Sequence, residues 1–458
     1  MASTVVPVNT MAELADQWRE TSSGVWERNA CPMECWMRMR SCMYTSNKRH
    51  LTLSVTIRLQ LAIPPMQFAD DLLRAWKTIR LDHGTLASEL DRVNRTWKYR
   101  APNDAEIDSW ISETFKVVNE PMTVTQIKEM IPSIQRPTLY FLPASNEIVL
   151  KAPPTHIDHK GILLLAGTLL RHATDPDKTE PVYKSVILSP PYHTTACLPV
   201  HTHHDTEKAA REMERYRADL LSMALPTKIW EWDWVWYKPT ETKSCIMSLT
   251  DSQTKTILRL MAEEDFHYHH AVHAAIACAT KRINISVDSD KYTGVFCVDG
   301  RGPFNLDYHP ATIYSTVWFP SIHVTDFKSV MRQFKHDYQE IVQDPMLPNV
   351  VDEMINISIS LDQYEEFCTA EALLTNLGHL ERFIPDTGRE VEVVELDFHC
   401  EVLTPAINVY VYIQRNELTL KACYNDTYHA ADMVTRFLEM VMEELHKGFN
   451  LPMYVCID

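Results

Sequence analysis

Thr155, His156, Ile157, Asp158, His159 and Lys160, closed by Gly161, place two histidines, an aspartate and a lysine within six residues. They lie between a hairpin pattern and an almost wholly apolar run, where a strand hands over to a buried helix. An imidazole fixed at such a junction, facing a cleft, can take a proton from a bound alcohol or amine. Its ordinary pKa, about 6.5, suits that task near neutral pH. The same histidine could instead cap the helix or bond a backbone carbonyl. Asp158, two residues on, could orient the ring from a turn, or bond the backbone of that turn as short acidic side chains commonly do.

Other groupings carry less. His201, His203, His204 and Asp205 form one cluster; Asp265, His269 and His273 form another, with the two histidines four apart on a helical pattern. A metal needs three or four convergent ligands, and neither cluster has the HExxH glutamate, so no metal is expected. Trp230, Trp232, Trp234 and Trp236 alternate with period two, which suits one face of a strand. There is no GxGxxG and no GxxxxGK[ST], and only 10 glycines are present, so dinucleotide and P-loop readings fall away.

The elements around the first segment can be read from periodicity. From Leu51 to Leu61 every odd position is apolar, the mark of a strand with one buried face. Pro64 and Pro65 end it, and Phe68, Leu72, Trp76 and Ile79 then mark a helix that stops at His83-Gly84. Leu139 to Leu142 and Glu147 to Ala152 read as a hairpin. Ile162 to Leu170 is apolar nearly all round, hence a buried helix. In the second half, residues 254–262 and 270–279 read as helices, 408–413 and 418–424 as a hairpin, and Val434 to Leu445 as an amphipathic helix. The class is mixed α/β.

The 458 residues suffice for two lobes: 1–185 carrying His156, a polar, proline-bearing connection at 186–215, and 216–458. Hydrophobic content of 45% and charged content of 23% fit a soluble globular protein. A formal net charge of -17 argues against a broad nucleic-acid surface. Eleven scattered cysteines, no basic-then-apolar leader and no run of about 18 apolar residues point to a reducing, cytoplasmic setting without membrane insertion. A monomer is expected.

The order strand, helix, IRLDHGTLAS, hairpin, His156 segment and buried helix resembles the superfamily of chloramphenicol acetyltransferase, peptide-synthetase condensation domains, and plant and fungal alcohol acyltransferases. Its members carry His-His-x-x-x-Asp-Gly. Anchored on Gly161, the catalytic second histidine falls on His156, Thr155 replaces the first, and Lys160 replaces the aspartate. Val298-Asp299-Gly300-Arg301 resembles the family's arginine-bearing strand end, and Thr375-Asn376-Leu377-Gly378 its Ser-Asn-x-Gly. The resemblance implies two similar lobes with a central cleft forming a tunnel open at both faces. It implies an acyl-CoA-dependent O-acyltransferase, with His156 as general base and Thr375 or Asn376 as oxyanion donor beside Gly378. Acyl-CoA is then a co-substrate and nothing is permanently bound. The acceptor is expected to be an apolar, secondary-metabolite-like small molecule, and 20 methionines and 11 tryptophans suit a roomy apolar cleft. In the family the motif aspartate points away from substrate and pairs with an arginine. Lys160 cannot make that pair, so it either meets an acid such as Asp299 or Asp307 or leaves His156 loosely held. Two other functions stay open: a cyclase or isomerase, for example for polyketide cyclisation, using His156 as acid or base, and a catalytically silent binding protein.

Overall fold

The strand Leu53–Leu61 buries Leu53, Val55, Ile57 and Leu59 as its alternation requires, yet Ser54 and Thr56 are buried too. The reason is a strand from far along the chain. Val391–Cys400 pairs antiparallel along its edge, from Val391 opposite Leu61 to Cys400 opposite Leu53. This computed structural model describes residues 17–451, apart from 43–47, 92, 121, 124–125, 128–133, 176–186, 200–201, 220–224, 229–236, 285–288, 302–308, 361–369 and 385–389. The tryptophan alternation at 230–236 and Asp307 lie outside the described residues, as does His201.

The first sheet runs, in spatial order, Val391–Cys400, Leu53–Leu61, Glu147–Ala152, Thr138–Leu142 and Phe115–Val117. The expected hairpin is its third and fourth strands. The second sheet has six strands: Ser315–Trp318, Val295–Asp299, Ala372–His379, Ile407–Gln414, Glu417–Asn425 and Thr242–Ser248. The lobes are therefore not cut cleanly at residue 215. That position falls inside the helix His203–Asp219, and the later stretch completes the edge of the earlier sheet.

One face of the second sheet carries Phe296, Leu374, Val409 and Leu420 into the apolar core, which also includes residues of the helices Tyr268–Ile283 and Ala431–Gly448. Cys297, Thr375, Tyr410 and Lys421 lie in register on the other face. That face meets the first lobe: Tyr410 packs on Phe398, and Lys421 pairs with Asp397. A single apolar core spans both lobes.

The helix His159–Thr174 joins the two. Asp158 caps it by accepting from the Gly161 backbone N–H at 2.8 Å. Gly161 and Gly167 let the second lobe's backbone come close, since a β-carbon at either would collide with the carbonyl of Pro310 or Phe383. Gly161→Ala is therefore expected to cost about 1–3 kcal/mol in urea unfolding, the usual range for overpacking; an unchanged midpoint would show that the lobes give way there. Among the described residues, no helix is long and apolar enough to cross a membrane.

Candidate active site

Beyond Ala152 the chain turns, the His156 N–H donating to the Pro153 carbonyl at 3.1 Å. The turn swings the imidazole against the edge of Trp97, with ring centres 5.1 Å apart. Its Nε2 lies 3.1 Å from the Ser88 carbonyl. A carbonyl only accepts, so Nε2 carries the proton and Nδ1 of the neutral ring is a lone pair. That lone pair faces the Thr155 hydroxyl at 3.0 Å. The ring is 8% exposed and borders a cavity of about 570 Å3. Burial pushes its pKa down to about 4, against the raising effect of the Ser88 carbonyl.

The cavity is not the cleft expected between lobes. Its lining, including Arg38, Arg49, Glu89, Arg136 and Tyr140, comes wholly from the first 156 residues. The turn at Pro153 aims the ring at Ser88 and Trp97 rather than at the second sheet. A second cavity, about 790 Å3, does lie between the lobes. Arg58, Glu395, Asp397, Lys421 and Lys243 line it, so charged side chains are prominent in its wall. Among the described residues no methionine or tryptophan lines either cavity, and the described tryptophans and many of the described methionines are core or packing residues.

Asp158 does not orient the imidazole. Its carboxylate meets Arg301 at 2.7 Å and accepts from the Tyr314 N–H at 2.7 Å, with both charged side chains at most 2% exposed. Lys160 pairs with Asp299 at 2.7 Å, and Asp299 also lies 3.3 Å from Arg301. Acids and bases thus alternate through the network Asp158, Arg301, Asp299, Lys160. This corrects the motif register. The aspartate that pairs with the arginine is Asp158, not position 160. Four residues before it, where the resemblance puts the catalytic histidine, stands Pro154. The loop's ionic clamp is intact, and the imidazole beside it comes from a position two residues later.

His159 takes the seam. Its Nδ1 is 3.7 Å from the Cys297 thiol, and its ring packs near Phe398 and Tyr410. Its Nε2 is buried without a hydrogen-bond partner among the described residues. Thr375 is buried next to Cys297 in the sheet register. Asn376 spends its side-chain oxygen on the Tyr268 hydroxyl at 2.6 Å and the Gly378 N–H at 3.0 Å. Gly378 takes φ +78° at a bulge in that strand, a conformation that suits glycine. His156 bonds Ser88 and Thr155, and neither Thr375 nor Asn376. Of the residues expected as oxyanion donors, Thr375 shares the Cys297 face that meets His159, and Asn376 is engaged with Tyr268.

Among the described residues no group of three His, Cys, Asp or Glu converges on a metal position. Asp265 pairs with Lys335, while His273 stacks on Phe334 with ring centres 3.9 Å apart. Burial drives the pKa of His273 down to about 3, and those of His83 and His159 to about 4. These rings stay neutral in the folded chain while their unfolded counterparts protonate near 6.5. Their stabilisation is complete above that pH and is lost as pH falls toward 4, by up to about 3 kcal/mol for each. Urea midpoints are expected to drop steeply between pH 6.5 and 4; a flat profile would mean that the buried rings find compensating partners.

No protein-family model matches the chain. Acetyltransferase pigO of Monascus ruber is 22% identical over 410 residues, covering 82% of this chain and 84% of its own length. O-acetyltransferase pigM of the same organism is 21% identical over 459 residues, covering 95% and 88%. Among solved structures, the TRI3 trichothecene 15-O-acetyltransferase from Fusarium sporotrichioides superposes with a TM-score of 0.79 at 16% identity, over 97% of this chain and 99% of that one. The EpoB cyclization-docking bidomain from Sorangium cellulosum follows at 0.69 and 11% identity, over 93% and 86%. The chain thus has the fold shared by the TRI3 acetyltransferase and the EpoB cyclization-docking bidomain, and in sequence it is similar to fungal acetyltransferases.

Proposed function

We propose that this chain is an O-acyltransferase that moves an acyl group from acyl-CoA to the hydroxyl of a secondary-metabolite-like small molecule, with His156 as general base. The supporting relatives are acetyltransferases by name, and the observation that carries the site is the fixed imidazole at the rim of the 570 Å3 cavity. The Ser88 carbonyl sets the tautomer, which leaves Nδ1 as the basic atom. The cavity volume lies within the usual range for small-molecule sites, about 300–1,000 Å3. Leu90, Ile134 and Pro153 give it apolar surface beside its arginines and glutamates, so the fitting acceptor is an apolar skeleton bearing oxygen functions. The proposed enzyme is a cytoplasmic monomer.

Incubation with acetyl-CoA and longer acyl-CoAs, alone and with a panel of hydroxylated polyketides and terpenoids, tests the reading. Thiol release that depends on acceptor, with an acylated product by mass, is the expected result. A second reading, acid–base chemistry or simple binding without a thioester, is favoured by Pro154 standing at the motif's catalytic position. It is recognised by ligand binding or isomerisation with no thiol release under any donor.

A further inference from the structure

The two carboxylates in the described wall of the first-lobe cavity are both spent on one cation. Arg136 pairs with Glu113 at 2.9 Å and also with Glu89, so a single guanidinium bridges the two acids. Arg49 lines the same cavity, half-buried, and meets no carboxylate among the described residues. Its side chain donates from Nη1 to the Cys42 thiol at 2.8 Å, and its Nε is buried with no partner among the described residues. Sulfur is a weak acceptor, so this guanidinium keeps most of its donor capacity. Three arginines face two glutamates in the described wall, a positive excess in a chain whose net charge is -17. His156 stands in that wall with Leu90, Ile134 and Pro153. A molecule held there meets a proton acceptor, an apolar surface and a planar cation with donors to spare.

We infer that Arg49 is a specificity-determining residue that binds a carboxylate of the acceptor, so that the acceptor is a hydroxylated carboxylic acid rather than a neutral alcohol. This rests on the acyl-transfer reading above and names its substrate class. Guanidinium and carboxylate are matched planar forks, and two parallel N–H···O bonds orient a molecule as well as hold it. An apolar skeleton anchored at Arg49 presents its hydroxyl to His156 across the cavity. A phosphate of the acyl donor suits this wall less well. It carries up to two charges where Arg49 offers one, and Glu89 and Glu113 stand in the same wall. A cation beside two acids already neutralised by Arg136 fits a single negative charge.

The probes are a hydroxynaphthoic acid, an ω-hydroxydodecanoic acid and a hydroxylated diterpenoid acid, each with its methyl ester. Calorimetry on the full chain without acyl donor is expected to show at least one acid binding about tenfold tighter than its ester, the worth of charge-assisted hydrogen bonds at a half-exposed site. Thiol release from acetyl-CoA is expected to follow the same preference, carried by KM. Arg49→Met is expected to abolish the preference, and Arg49→Lys, which keeps the charge without the fork, to restore part of it. Matching thermal melts show that both variants fold. Acids bound no better than their esters, or a preference that survives in Arg49→Met, overturn the inference. A rise in the KM for acetyl-CoA in Arg49→Met that is absent with acetyl-dephospho-CoA assigns Arg49 to the donor and also overturns it. Acid-selective binding that depends on Arg49, with no thiol release from any donor and acceptor, upholds the carboxylate site and overturns acyl transfer instead.

Discussion

His156→Ala is expected to lower kcat by about 10²–10⁴, the range for losing a positioned general base. The ring is held on three sides, by Ser88, Thr155 and Trp97, so its removal deletes the proton acceptor and loosens the contact that orients Thr155. His156→Gln is the sharper variant. Its amide nitrogen can donate to the Ser88 carbonyl, but it has no basic atom. A pure positioning role would leave His156→Gln near wild type; a base role makes it as slow as alanine. His159→Leu is the control on the other histidine of the segment. It replaces a buried ring whose Nε2 has no partner among the described residues, and turnover within a few-fold of wild type is expected. If His159→Leu is the dead variant and His156→Ala the active one, chemistry belongs at the lobe seam and the assignment is reversed.

Much of this arrangement was legible in the chain. The strand at 53–61, the hairpin at 138–152, the buried helix after it and the terminal amphipathic helix all follow from period two or period 3.6, because each has a face that must leave water. The segment 155–161 was legible as a site because a polar cluster cannot sit before an apolar helix without partners. Its register was not. Gly161 looked like the motif glycine, whereas the fold makes it the point where the Pro310 backbone crosses the helix. The signal that would have corrected it was local: an aspartate three residues before that glycine, at the start of an apolar helix, reads as an N-cap. The pairing of Val391–Cys400 with Leu53–Leu61 joins segments more than 300 residues apart, and single-chain periodicity holds no information about such partners. The polar linings escaped for a related reason. Composition counts tryptophans and methionines but does not say which face a cavity, and many of the described ones fill the core.

Arg301→Met is expected to destabilise the fold by about 3–5 kcal/mol, as is usual when one member of a buried ion pair is removed. The guanidinium is fully buried and the Asp158 side chain is 2% exposed, so the stranded carboxylate has no water to turn to. The Gly161 and Tyr314 N–H groups still donate to Asp158, which keeps the loss at the lower end of that range. Asp158→Asn is milder, because Arg301 retains Asp299 and the asparagine oxygen can still cap the helix. The double variant Asp158→Asn/Arg301→Met separates pairing from packing. If the clamp is a true charge pair, the double variant recovers at least about 1 kcal/mol over the sum of the two single losses in urea unfolding at pH 7. Additive losses would reduce Arg301 to a filler of space. The same substitution reaches the site through the backbone, since Asp158 fixes the end of the 153–158 turn that aims the imidazole. Turnover in Arg301→Met is therefore expected to fall even where the protein is still folded, and substrate analogues that stabilise the fold should restore part of it.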